Sequence, residues 1–286
     1  MDVLTEPARR TAPTTRLLRA ELRWIYRRPR TLIVLGLLGV IPVIMGVALT
    51  ISGPAGPGGG PGGPDEGAGL LSAAAGGLVL PVAALGMTMN LLLPLAAAMS
   101  GADALAGETS TGTLRGWLLA PVGRGRLLLV KAFGVATFTV SAVAVIAGVG
   151  VVTGLILNGT DTLYTLSGTT LSLVDSLGRV ALAGAFLTVQ LWAVGAVALA
   201  ISARTDHPMV VMASVLGGVV VFAVLGNLDA LSWLHPFLIT DSWWSIVDVL
   251  RDPVPLGGLT QGVLVAACYG VAGGALAYGR VISRDG

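Results

Sequence analysis

The chain has 286 residues, of which 54% are apolar and 11% charged, with 41 glycines, and this departs from soluble composition toward the integral membrane class. Such a length holds about six spans of ~20 residues with short connections, which excludes a large soluble domain beside them. The net charge of +2 says little until its placement is read. Eight of the seventeen Lys and Arg lie between Arg9 and Arg30, four between Arg115 and Lys131, one at Arg204 and two at Arg280 and Arg284, leaving only Arg179 and Arg251 for the opposite side. By the positive-inside rule both termini and the loop from Asp103 to Lys131 are expected in the cytoplasm.

The basic N-terminal stretch lacks a small-residue cleavage pattern and runs into a long apolar segment, so it reads as an anchor and not as a cleaved signal. Within it, Thr14 to Arg28 places Leu18, Leu22 and Ile25 at helical spacing while arginines cover much of the remaining surface. That pattern predicts an amphipathic helix lying in the cytoplasmic interface, with Trp24 and Tyr26 at headgroup depth. The alternative is a plain basic flank that orients the first span. Pro29 ends the helix, and a charge-free first span follows over about Thr31 to Ile51.

Residues 52–69, SGPAGPGGGPGGPDEGAG, sustain neither helix nor strand and read as an external linker. A phosphate-binding loop would need a Lys followed by Ser or Thr, but the only lysine, Lys131, precedes Ala132. No Walker A motif can occur. A short external helix is then expected, followed by a second span over about 79–102, with a kink at Pro94 and Asn90 as its most polar deep residue. Asn90 suits either a functional role or a hydrogen bond to a neighbouring helix.

The third span covers about 127–157 and is followed by a polar external piece that contains Asp161 and Asp175. Asn158-Gly159-Thr160 there is a formal glycosylation sequon, without consequence in a bacterium. The fourth span, about 177–202, carries Gln190 and Trp192 at mid-depth. His207, in the turn from Ala203 to Pro208, has no second ligand set at metal-site spacing and reads as a turn residue. A fifth span covers about 209–228. Residues 229–258 are too interrupted by Pro236, Asp241, Asp248 and Asp252 to cross a membrane, yet they hold Trp233, Trp243 and Trp244. Short re-entrant helices dipping into the outer leaflet would satisfy both facts. The last span, about 259–278, contains the single cysteine, Cys268, which rules out an intramolecular disulfide.

The fold class expected is therefore all-α integral membrane, a single domain of six spans. No Asp, Glu, Lys, Arg or His falls in the middle of any expected span, which argues against self-powered ion-coupled transport. Paired carboxylates, metal clusters and activated nucleophiles are missing too, so no catalytic or metal site is expected. Energy for a pump would have to come from a partner.

The loop offers a place for one. Ser110 or Thr111 can cap a helix over Thr113 to Ala120 that puts Leu114, Trp117 and Leu118 on one face and stops at Pro121. Such an apolar ridge, flanked by Glu108 and Arg115, suits docking into a groove on a cytoplasmic subunit or, equally, burial among headgroups. The succession Gly107-Glu108, Gly112 to Arg115, Leu118 to Val122, Arg124, Leu127 to Leu129 and Lys131 resembles the coupling loop of the type-2 ABC exporter permeases. The expected topology is similar to theirs along nearly the whole chain. Two departures stand out: the Gly/Pro linker replaces the larger external domain some members carry, and Gly123 stands where many relatives have Ser.

The resemblance implies a bacterial plasma-membrane permease, one of two copies, served by two copies of a cytoplasmic ABC ATPase that holds the ATP and Mg, with no cofactor and no nucleic acid on this chain. Its ATPase-coupling residues would be Glu108, Thr113, Leu114, Arg115, Trp117, Leu118, Pro121 and Arg124. Thr88, Asn90, Gln190 and Trp192 are candidates to line a path for an amphipathic, drug-like or lipid-like molecule, with membrane lipids around it. Two other classes of function fit the same residues, a non-transporting recruitment or sensor module and an ATP-independent channel.

Overall fold

The computed structural model describes residues 13–52, 79–110, 123–159 and 171–283. The expected Gly/Pro linker, the short helix ahead of the second span, the helix from Thr113 to Ala120 and most of the polar piece after Asn158 lie outside those residues. Among the described residues the chain is helical throughout, without strands. The order is α1 (Thr14–Arg27), α2 (Pro29–Ser52), α3 (Val79–Met89), α4 (Leu92–Ala104), α5 (Ala106–Ser110), α6 (Arg124–Asn158), α7 (Leu173–Ser202) and α8 (Pro208–Gly226). Two 3-10 helices, Asp229–Phe237 and Asp241–Leu250, precede α9 (Leu256–Ser283). Five of these helices (α2, α6, α7, α8 and α9) are individually long and apolar enough to cross a membrane, and α3 with α4 passes the same test as a pair bent by 58°. The protein is a multi-pass membrane protein.

The bend falls at Asn90 and Leu91, just before Pro94. Pro94 has no N–H to give the Asn90 carbonyl, so the helix cannot continue through that residue without loss. It restarts at Leu92, where the proline sits in the first turn and the Leu95 amide bonds to Leu91. Proline is tolerated there because first-turn amides have no partner within the helix.

At the centre stands α7, packed by α4, α6, α8, α9 and the second 3-10 helix. Small residues make that crowding possible. A Cβ at Gly273 of α9 would lie 2.7 Å from the Ala196 carbonyl carbon, so the α7 and α9 backbones approach as closely as glycine allows. Ser172 caps α7 by accepting the Asp175 amide at 3.2 Å. At the same end Arg179 donates to the carbonyls of Val249 (2.9 Å) and Arg251 and to Asp252 (3.1 Å), clamping the end of the second 3-10 helix.

Helices α2 and α6 run side by side in one direction, with Gly39 against Val145 and Gly46 against Thr153 and Leu157. At 35 residues α6 is about 52 Å long, well beyond the ~30 Å of a hydrocarbon core. Its surplus lies at the N-terminal end, and α1 runs along it. Thr14 meets Arg126, Glu21 meets Lys131, Ile25 meets Gly134, and Tyr26 shares a hydrogen bond with Ser141. The face of α1 that carries Glu21 and Ile25 therefore rests on α6. The reason is Gly134, where a Cβ would fall 2.8 Å from Ile25 Cδ1.

Gly273→Ala is expected to cost about 1–3 kcal/mol through overpacking. Gly274→Ala, which meets open space, should instead gain up to ~1 kcal/mol from helix propensity. Melting temperatures of the two variants in detergent should move in opposite directions.

Candidate functional site

Of the residues that the sequence singled out for contact with a partner, Glu108 and Arg124 are described, while Thr113, Leu114, Arg115, Trp117, Leu118 and Pro121 lie outside the described residues. Glu108 does not stand on the surface. It is buried on α5, and its carboxylate accepts a hydrogen bond from Lys131 of α6. Lys131 donates as well to both carboxylate oxygens of Glu21 on α1, at 3.0 and 2.9 Å. An ammonium has three N–H donors, and three carboxylate oxygens from two helices receive them. All three residues are at most 4% exposed.

Helical spacing puts Glu21 there. It lies three residues after Leu18 and four before Ile25, on the face of α1 that meets α6, while Arg16, Arg19, Arg23 and Arg27 are exposed elsewhere on the helix. Gly134, three residues after Lys131, leaves room for the Glu21 side chain, whose Cγ would lie 3.2 Å from a Cβ at that position. The indole of Trp24 lies beside the cluster, 5.0 Å from the Lys131 nitrogen, with the Arg28 guanidinium 3.2 Å from its ring centre. Arg28 and Arg30 reach Asp103 of α4 at 3.8 and 3.3 Å. Charges from α1, α2, α4, α5 and α6, together with the α1–α2 junction, thus meet at one end of the helix bundle.

The start of α5 is held a second way. Ser202 at the end of α7 accepts the Ala106 amide at 2.9 Å and donates to the Ala102 carbonyl at 3.3 Å. Arg124, at the start of α6, donates to the Ile282 carbonyl of α9 at 3.2 Å. Residues 111–122 therefore leave from a fixed α5 and return to a fixed α6. Sequence reasoning missed Glu21 and Lys131. Two signals pointed to them: a lone lysine among sixteen arginines, and an acid on the apolar face of a basic helix.

The four residues proposed to line a path are not brought together. Thr88 is buried and its hydroxyl donates to the Ala84 and Leu85 carbonyls at 2.7 and 3.1 Å, so it is engaged within its own helix. Asn90 is exposed at the bend. Gln190 is fully buried beneath the second 3-10 helix, where Ser242 donates to its Oε1 at 3.5 Å. Trp192 donates its indole N–H to the Ala136 carbonyl at 3.2 Å and lines an apolar groove of about 800 Å³ between α6 and α7.

Residues 16–240 match the family model described as ABC-2 family transporter protein. No curated protein matches the chain.

Burial pushes the Glu108 carboxyl above its usual value, while the Lys131 ammonium pulls it down less strongly. A carboxyl raised in the folded state contributes stability that is present below its ordinary pKa and lost as pH rises through the raised value. The melting temperature in detergent should therefore fall as pH climbs through that window, and Glu108→Gln should flatten the fall. Lys131→Met, which strands two buried carboxylates, should cost ~3–5 kcal/mol, and adding Glu21→Leu and Glu108→Leu should restore most of it.

Proposed function

The chain belongs to the ABC-2 transporter family and is a permease subunit of an ABC transporter working with an ABC ATPase subunit, and from that premise we propose that it exports an amphipathic, drug-like or lipid-like molecule by alternating access. The observation that carries this reading is the bent second span. A helix interrupted within the hydrocarbon region is tolerated only where other protein covers it or water reaches it. Asn90, Met87, Leu91 and Leu92 are exposed at this interruption in the single chain. A second permease copy placed against that surface would cover the break and enclose a polar spot in an otherwise greasy path. A homodimer with two ATPase copies is the simplest assembly that does so.

The charged end of the bundle supports the place of energy input. In this reading it is cytoplasmic, the chain sits in a bacterial plasma membrane, and residues 111–122 carry the ridge of Leu114, Trp117 and Leu118 into the ATPase. Glu108 acts from behind that ridge, through Lys131, instead of touching the ATPase. Arg124 likewise holds α6 to α9. Two permeases closing and opening with the ATPase dimer would expose the path to one side and then the other. Efflux of drugs or antibiotics fits the apolar path, as does export of lipids.

An ABC ATPase should copurify with the detergent-solubilised chain, and Leu114→Asp or Trp117→Asp should abolish that while membrane insertion stays normal. Full complex yield from both variants would remove the docking ridge. In the reconstituted complex, Asn90→Leu should lower amphipath-stimulated ATPase activity about tenfold, the scale of one lost hydrogen bond, without changing assembly.

A further inference from the structure

One face of α1 is engaged by α6, and the face opposite carries only positive charge. At ~100° per residue the exposed side chains of Arg16, Arg19, Arg23 and Arg27 fall within an arc of about 80°, and Glu21 and Ile25 lie about 160° from its middle. Among the described residues none of these four side chains has a carboxylate or another hydrogen-bonding partner. The arginines nearby are occupied. Arg28 and Arg30 reach Asp103, and Arg126 donates to Thr14 at 2.6 Å. Within the stripe, Arg16 with Arg19, Arg19 with Arg23 and Arg23 with Arg27 are like charges at three- and four-residue spacing, which destabilises a helix unless an anion stands over them.

The stripe starts at the membrane. A single residue, Arg28, separates α1 from α2, whose charge-free stretch begins at Thr31, so Arg27 lies one turn from the apolar span. From there α1 runs back along the surplus of α6, and Arg16 stands ~16 Å farther along the helix axis than Arg27. On either side of the stripe, Leu17 with Trp24 and Leu22 with Tyr26 are half-buried. Basic side chains flanked by amphipathic and apolar ones suit the headgroup layer.

We propose that Arg16, Arg19, Arg23 and Arg27 dock the phosphate headgroups of anionic lipids, with Arg23 and Arg27 holding them most tightly. This goes beyond the transport reading and does not depend on it. Lys131 fixes Glu21 on the opposite face of α1, at 3.0 and 2.9 Å, so the stripe is held outward before lipid arrives. Attraction of a basic helix to an anionic surface falls off within about a Debye length, which ranks the four by their distance from the span.

The test reconstitutes the full chain alone into phosphatidylcholine vesicles that contain a trace of lipid with a photoreactive headgroup, either phosphatidylglycerol or phosphatidylcholine. Labelled peptides are mapped by mass spectrometry. Phosphatidylglycerol should label residues 14–30 at least about fivefold over phosphatidylcholine, the factor that one arginine near a membrane surface supplies. Raising the salt concentration should shrink that ratio. Arg23→Gln with Arg27→Gln should bring it close to one, whereas Arg16→Gln with Arg19→Gln should lower it less. Changing all four to Lys should preserve it, because the attraction follows charge. Melting temperatures of both double Gln variants should stay unchanged or rise, since each removes like-charge neighbours; a purely structural role would lower them.

Equal labelling by the two lipids, a ratio indifferent to salt, or one that survives the Arg23 and Arg27 variant overturns the proposal. Competition by free glycerol phosphate at matched ionic strength would assign the stripe to a soluble phosphate instead of a lipid. A reversed ranking, in which the Arg16 and Arg19 variant matters more and abolishes copurification of the ATPase, would assign it to an acidic surface on that subunit. Either result overturns lipid docking, and neither touches the transport reading.

Discussion

An ammonium group taken out of water has to be met by anions, and Lys131 is met from two directions at once. Glu21 arrives on α1 and Glu108 on α5, so one side chain of α6 joins the N-terminal helix to the short helix that precedes residues 111–122. A lysine suits this better than an arginine. Its charge is compact and its three donors can point to separate carboxylates, whereas a planar guanidinium favours one partner in a fork. Such a cluster is expensive to bury, and its worth lies in what it holds together more than in net stability.

The rest of the architecture follows from how closely helices approach. Glycine at 273 sets the backbone of α9 against α7, glycines at 39 and 46 let α2 lie along α6, and glycine at 134 admits α1. Between lipid-facing helices no hydrophobic driving force is available, so close packing and buried hydrogen bonds take its place. That is why the interior of α7 is rich in Ala, Gly and Val, and why exposed Leu, Ile and Val crowd α2.

Hydropathy made most of the helices legible, because a long apolar segment has few other structures open to it in a bilayer. The bend in the second span was legible in kind from Pro94, although the break itself falls at Asn90 and Leu91, where the missing amide is felt. The site was harder to read. The acid of α1 was visible and its face could be computed from spacing, but spacing does not name the partner, and Lys131 lies 110 residues away in the chain. Glu108 belonged to a family-like motif that drew it toward an outside partner, whereas its carboxylate faces inward. Gln190 was noticed as a deep polar residue; that it meets Ser242 depends on how an irregular segment folds back, which no periodicity encodes.

Lys131 is the only lysine in the sequence, and it is sealed between two carboxylates. The polypeptide therefore presents many guanidinium groups to its surroundings and no accessible ε-amine. Acetyl transfer to a side chain and conjugation of small protein tags through side-chain isopeptide bonds need a free lysine nitrogen, and among the lysine side chains of this sequence they would find none. Lysine-directed chemistry of that kind acting on the assembled transporter would have to fall on its other subunit.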